Sequence, residues 1–164
     1  MYGYTEIIQV MGAMIIFSLI LLSTNRYMLN NTQQQINTEL ETQAVSIGQN
    51  LIDEALLKPF DESTIDGVVP VEIPDSFVDP PFGQSNASSR DQIESFEGYN
   101  GWTEVIQTDW GELEIAVEVF YVDSSNWDEE AGYPTRHKKM VVTLDNESLG
   151  RTVSLSYIRT YNHD

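Results

Sequence analysis

The feature that most constrains this chain is a nearly unbroken apolar run from Ile7 to Leu22, with one acid, Glu6, at its start and no Lys or Arg before Arg26. No proline or turn signal ends the run. It passes into a polar but still periodic stretch that stops only at Pro59, which cannot continue a helix and biases Lys58 away from helical angles. The pattern predicts one helix from about Tyr4 to Lys58, roughly 80 Å long at ~1.5 Å per residue. A helix that leaves an apolar environment as one continuous rod is a membrane anchor, an assembly stem, or both.

The run is close to the length a bilayer needs, about 20 apolar residues for a hydrocarbon core of ~30 Å. A cleavable secretory signal has a basic start, a shorter core and a small-residue cut site. Here the start is acidic and the core is flanked by Gln9 and Ser23-Thr24-Asn25, so the segment reads as retained. Beyond it, Leu29, Ile36, Leu40, Ala44, Ile47, Leu51 and Ala55 recur at helical spacing and form one apolar stripe. Between the two lies a polar collar, Asn30 to Gln35. Gly12, Ser18 and Ser23-Thr24-Asn25 are the weakest helical positions of the rod.

Three segments follow from these patterns: residues 1–28 as a hydrophobic membrane or filament-core helix, 29–58 as an amphipathic helix, and 59–164 as a globular head. Within the head, 59–110 is irregular, with Pro70, Pro74, Pro80, Pro81 and the turn-rich Gly98-Tyr99-Asn100-Gly101. A stretch this long without regular structure must wrap against something or carry a contact surface. Residues 111–164 form an antiparallel sheet. Glu112 to Val122 alternates acid and apolar residues, Lys138 to Leu144 is β-branched, and Thr152 to Ile158 alternates again. The turn Asp145 to Gly150 joins the last two strands, and a long loop, Asp123 to Pro134, joins the first two. Short pieces such as Val68-Val69 and Glu104-Val105-Ile106 bring the expected total to three or four strands. Such a sheet has one uncovered apolar face, which Leu40 to Leu56 of the helix cover, giving an α+β head.

Composition narrows the partners. Of 164 residues, 26 are Asp or Glu and 8 are Lys or Arg, for a formal charge of −18, which argues against nucleic acid and anionic lipid head groups. Copies of such a protein repel one another at low salt and are better tolerated where ions screen them. With no cysteine, neither a disulfide nor a thiolate metal site is available.

The segment Tyr4-Thr5-Glu6-Ile7-Ile8-Gln9-Val10-Met11-Gly12-Ala13-Met14-Ile15-Ile16, at the head of a long helix and followed by a C-terminal antiparallel sheet, resembles the type IV pilin and type II secretion pseudopilin family. The likeness in sequence is confined to that segment, while the likeness in architecture spans the chain. The resemblance implies a prepilin peptidase that cuts ahead of the helix and methylates the new N-terminus. It also implies a glutamate at the fifth mature position that pairs with the terminal amine of a neighbouring subunit. Glu6 matches that glutamate if Tyr2 is the first mature residue. The chain departs from the family pattern in three respects: no basic leader is visible ahead of the helix, Gly3 does not stand directly before such a cut, and the helix lacks the proline many members carry. The residues implied for filament assembly are Met1, Tyr2, Glu6, Ile7, Ile8, Val10, Met11, Gly12, Met14, Ile15, Ile16, Phe17, Leu19, Ile20, Leu21 and Leu22.

The chemistry of Glu6 gives an independent reason for that role. A bare carboxylate in an apolar layer costs several kcal/mol unless it sits at the water boundary, is protonated or meets a cation, and the cation at that depth is an α-amine. Gln9 and Ser18 within the run have groups able to bond across helices, and Gly12 and Ala13 permit close helix approach.

Other constellations are weaker. Asp123, Asn126, Asp128, Glu129 and Glu130 gather oxygen ligands of the kind calcium prefers, without the spacing or glycine of an EF-hand. A solvated acidic loop is the simpler reading, so no cofactor is expected beyond that calcium candidate. Asn30-Asn31-Thr32, Asn86-Ala87-Ser88 and Asn146-Glu147-Ser148 fit the glycosylation triplet. Trp102, Trp110, Trp127, Tyr99 and Tyr133 read as domain packing or subunit interface. His137 and His163 stand alone, and no phosphate loop, nucleophile elbow or carboxylate pair points to an enzyme.

The expectation is an extracellular filament subunit: a homo-polymer whose apolar helices form the core and whose acidic heads face outward. The monomer would be held in the inner membrane before an assembly ATPase and platform machinery extract it. The alternatives are a single-pass membrane protein with an extracytoplasmic binding head, and a minor pseudopilin of a secretion system.

Overall fold

A computed structural model of the chain describes residues 3–108, 111–146 and 152–162. Met1, Tyr2, Trp110, His163 and the turn from Glu147 to Gly150, all named above, lie outside the described residues. The chain divides into two units, Met1–Glu39 and Leu40–Asp164, and one helix, α1 (Gly3–Leu56), contributes to both. The fold is α+β. Five antiparallel strands follow the helix: β1 (Thr103–Thr108), β2 (Gly111–Asp123), β3 (Asn126–Glu130), β4 (His137–Asp145) and β5 (Val153–Thr160).

The strand order is β1-β2-β4-β5, with β3 folded back on the end of β2. Two of these strands depart from the sequence reading. Glu104 to Ile106 belongs to a full edge strand, β1, which pairs with β2 from Thr103↔Ala116 to Thr108↔Gly111. The segment expected as a loop from Asp123 to Pro134 contains β3, joined to β2 by a tight turn at Ser124-Ser125. Val68-Val69 is not a strand. The expected three or four strands therefore become five, because two short pairings are fixed by their neighbours and not by a clean alternation of their own.

Burial follows period two along the central strands. Leu113, Ile115, Val117, Val119 and Tyr121 of β2 are buried, as are Lys138, Met140, Val142 and Leu144 of β4. The register sets them side by side: Ile115↔Leu144, Val117↔Val142, Val119↔Met140 and Tyr121↔Lys138. The last part of α1 covers this face with Leu40, Ala44, Gly48, Leu51, Ile52 and Ala55. The stripe expected from the sequence is thus corrected at five places. Leu29 is exposed, Ile36 and Ile47 are only partly buried, and Gly48 and Ile52 join the packed face.

At Gly48 the helix backbone comes close to side chains of the sheet. A Cβ there would lie 2.5 Å from Leu155 Cδ1 and 3.0 Å from Leu144 Cδ1. Glycine costs a helix interior about 1 kcal/mol relative to alanine, and here the absent side chain leaves room for two leucines.

The irregular segment is wrapped against the same core. It lays Phe60, Phe77, Phe82, Ile93, Phe96, Tyr99 and Trp102 against the sheet and helix through three 3-10 turns, Glu62–Gly67, Arg90–Gln92 and Glu97–Tyr99. Its path is also fixed by backbone bonds, such as Phe96 N–H to the Pro59 carbonyl at 2.9 Å and Ser85 N–H to the Asn100 carbonyl at 2.7 Å.

Two predictions follow from this packing. A chain beginning at residue 29 should fold and melt cooperatively by circular dichroism, because every buried residue of α1 is retained. A chain beginning at Asp53 should lose the cooperative transition or aggregate, since Leu40, Ala44, Gly48, Leu51 and Ile52 no longer cover the sheet. Gly48→Leu should lower the unfolding free energy by about 1–3 kcal/mol, the usual cost of overpacking a filled core. A variant as stable as the parent in denaturant titration would refute the close approach.

Candidate functional site

Two places in the molecule carry unusual chemistry, one in each unit. The first is the N-terminal half of α1. Its apolar side chains Ile7, Ile8, Val10, Met11, Met14, Ile15, Ile16, Phe17, Leu19, Ile20, Leu21 and Leu22 are each between 52% and 68% exposed, and only Gly12 is partly covered. The helix contains a window long and apolar enough to cross a membrane, none of it buried within the chain. Glu6 is exposed and shares one side of the first turns with Gly3, Ile7, Val10 and Met11.

The polar groups in this helix are satisfied locally. Ser18 Oγ donates to the Met14 carbonyl at 2.8 Å and Thr24 Oγ1 to the Ile20 carbonyl at 2.9 Å. Such bonds to the preceding turn remove the cost of a bare hydroxyl in an apolar layer. The Ser18 proton is used within the chain, while its oxygen keeps lone pairs able to accept from a neighbouring helix. Gly12, Ser18 and Ser23-Thr24-Asn25 are helical without a break.

The second place was not read from the sequence. Lys138, at a core-facing position of β4, is wholly buried, as is Asp61. Its ammonium donates to three acceptors: Asp61 Oδ2 at 2.6 Å, Glu97 Oε2 at 2.9 Å and the Phe60 carbonyl at 2.9 Å. That number equals the donors an ammonium has. Aromatic rings enclose it, with the centroids of Phe60, Phe82 and Tyr121 at 4.6, 5.0 and 5.1 Å.

The two carboxylates are themselves held by the irregular segment. Asp61 caps the 3-10 turn at Glu62–Gly67: its Oδ1 accepts from Ser63 N–H at 3.1 Å, Ser63 Oγ at 2.8 Å and Val78 N–H at 3.2 Å. The Tyr121 hydroxyl lies 3.1 Å from Asp61 Oδ2 and 3.0 Å from the Val78 carbonyl. Glu97 Oε1 accepts the backbone N–H of Glu62.

Burial alone would raise the pKa of Asp61, but the Lys138 charge and the hydrogen bonds from Lys138 and Ser63 together hold it below its ordinary value. Glu97 goes the other way. Burial raises it, Lys138 offsets only part of that, and the nearby Asp61 charge adds to the rise. Burial and the Asp61 charge likewise push the Tyr121 hydroxyl up, so it stays a donor.

A second cation stands beside the first, since Arg159 of β5 is paired opposite Lys138. Two like charges directly opposite destabilise a sheet unless each is engaged. Arg159 Nη1 donates to the Lys58 carbonyl at 2.8 Å and reaches the Ala55 and Pro59 carbonyls at 3.5 Å, capping the C-terminus of α1 with positive charge. Burial lowers its pKa below the ordinary arginine value.

The chain matches no protein-family model, no curated protein and no solved structure. Its function is therefore argued from these two places.

The residues of the calcium candidate lie at the end of β2 and on β3. Asn126, Asp128, Glu129 and Glu130 lie on β3, where alternation turns Glu129 away from Asp128 and Glu130. Asp123 accepts Ser125 N–H and the Tyr133 hydroxyl, each at 2.8 Å, and Asp128 accepts Lys139 Nζ at 2.8 Å. Among the described residues no three His, Cys, Asp or Glu side chains converge as metal ligands. Of the glycosylation triplets, Asn30 and Asn86 are exposed, whereas Asn146 is buried with its amide nitrogen 2.7 Å from the Glu112 carbonyl.

The other singled-out aromatics divide between core and surface. Tyr99 and Trp102 are buried, Tyr133 is exposed, and Trp127 packs edge-on against His137 at 4.9 Å.

Lys138→Met should destabilise the head by at least about 3 kcal/mol, the usual cost of stripping one partner from a buried ion pair. Arg159→Met should cost less, about 1–2 kcal/mol for a lost charged cap. Chemical denaturation would check both, and equal losses would contradict the difference in burial of the two cations.

Proposed function

We propose that this chain is a structural subunit of an extracellular type IV pilus-like filament, polymerising through the N-terminal half of α1. The observation that carries the reading is the all-round exposure of the apolar side chains from Ile7 to Leu22, preceded by one acid, on a helix whose far end belongs to an α+β head. Among the described residues none buries those side chains. Burying them among neighbouring helices at ~25 cal/mol per Å² releases more than ten kcal/mol from water, but far less from lipid, which is as apolar as leucine. Assembly out of a membrane then requires machinery, an ATPase acting through a platform, after a prepilin peptidase has processed the N-terminus. Glu6 supplies register, pairing with the α-amine of the next subunit in a layer that holds no other cation. A net charge of −18 suits heads that face salt water and repel at short range.

The second reading is a single-pass anchored protein with an extracytoplasmic binding head. The internal bonds of Ser18 and Thr24 favour it, because they let the helix sit in lipid without partner helices. The long apolar helix is compatible with membrane anchoring under both readings.

Glu6→Ala and Glu6→Gln separate them. Both variants should keep a folded head and remain in the membrane fraction, while fibres in sheared surface material, counted by negative-stain microscopy, fall severely. Normal fibre yield in both variants would remove the amine-pairing role. A wild-type protein that forms no fibre and runs as a monomer in detergent would establish the anchored reading.

A further inference from the structure

The cluster around Lys138 has the arrangement of a reaction centre. An amine and a carboxyl group stand in contact at 2.6 Å, both wholly buried, among aromatic rings and beside a second carboxyl group at 2.9 Å. We propose that Lys138 and Asp61 condense to an intramolecular amide, with Glu97 relaying the protons. This inference stands whether or not the chain builds filaments.

Three features point to bond formation and not to a resting ion pair alone. First, position: Nζ touches Asp61 Oδ2 at 2.6 Å, so it lies at most one C–O bond further from Cγ, close to the ~3–3.5 Å of a near-attack conformer. Well-oriented groups held this way gain effective molarities on the order of 10⁵ M or more. Second, polarisation: Oδ1, the oxygen that stays, accepts two backbone N–H bonds from Ser63 and Val78 at 3.1 and 3.2 Å. Donors so placed stabilise negative charge that develops on a carbonyl oxygen during acyl transfer. Third, medium: burial by itself penalises both charges, and although the resting pair holds Asp61 ionised, the proton transfer that precedes attack removes two buried charges at once. Glu97, which holds a proton more readily than a free glutamate, is placed to take one from Nζ and return it.

The step balances without a redox partner. One proton passes from the Lys138 ammonium to the Asp61 carboxylate, directly or through Glu97, leaving neutral amine and acid. The Nζ lone pair attacks Cγ, forming the C–N bond and moving the carbonyl electron pair onto Oδ1. Glu97 takes a second proton from Nζ and delivers it to Oδ2. The Cγ–Oδ2 bond breaks as the carbonyl re-forms, and Oδ2 leaves as water carrying both protons. Neither carbon nor nitrogen changes oxidation state.

The product suits its surroundings. Oδ1 keeps its N–H donors, and the new amide N–H has the Phe60 carbonyl and Glu97 within reach. Two charges vanish from the core. The bond would tie residue 61, a few residues beyond the Leu56 end of α1, to the inner strand β4 across 77 residues of sequence. A pull entering the head through the helix would then be borne by a covalent strut.

Intact-mass spectrometry of the full chain purified in detergent tests the proposal. The wild-type protein should be lighter by one water than its composition requires, and digestion should yield a branched peptide joining Asp61 to Lys138. Lys138→Arg should restore the full mass, and Glu97→Gln should restore it or slow the loss at least tenfold during refolding. A wild-type chain at full mass overturns the proposal. So does a water deficit that survives Lys138→Arg, which would place the loss elsewhere, for instance in cyclisation at Asp66-Gly67. A deficit that forms at the wild-type rate in Glu97→Gln overturns the relay.

Discussion

The head depends on one buried cation. Lys138 occupies a strand position whose parity demands an apolar residue, and an unpaired ammonium there would cost several kcal/mol. Its presence forces the rest of the segment between helix and sheet into place. Asp61 must reach it from the first 3-10 turn, Glu97 from the third, and the Phe60 carbonyl from the end of the helix. The fold thereby pins a stretch that lacks regular secondary structure through three acceptors spread over nearly forty residues. Phe60, Phe77, Phe82 and Tyr121 close around the same point and keep it dry.

Arg159 extends this arrangement to the helix. It sits opposite Lys138 across β4 and β5, yet spends its charge on the carbonyls that α1 leaves open at its end. Two cations side by side are tolerated because each faces a different sink, one of side-chain carboxylates and one of backbone dipoles. The junction between helix and sheet is electrostatic at that end. At the other it is steric, where Gly48 admits Leu144 and Leu155.

The N-terminal half of α1 obeys a different rule. Its hydroxyls need no partner, because Ser18 and Thr24 bond within the preceding turn. Its exposed apolar surface nevertheless asks for cover, from lipid or from copies of itself. Most of the acid lies in the head and the exposed apolar surface in the rod.

The sequence by itself determined the element types. The unbroken helical periodicity up to Pro59, the alternation in β2 and β5, and the lone acid before an apolar run are local patterns that need no tertiary partner to be read. Glu6 and the residues from Ile7 to Leu22 were legible for that reason. Only the tertiary structure decided that Lys138 is buried, since a lysine at a strand end ordinarily reads as solvated. Its parity with Met140, Val142 and Leu144 was the one available signal. Asp61 and Glu97 lie 77 and 41 residues away in an aperiodic segment, so nothing local couples them to it. Gly48 leaves no mark in the apolar stripe, because a stripe is made of side chains and its contribution is the lack of one. Pairings that join residues far apart in the chain depend on how the whole core packs, and that is settled by volume and charge balance in three dimensions and not by period.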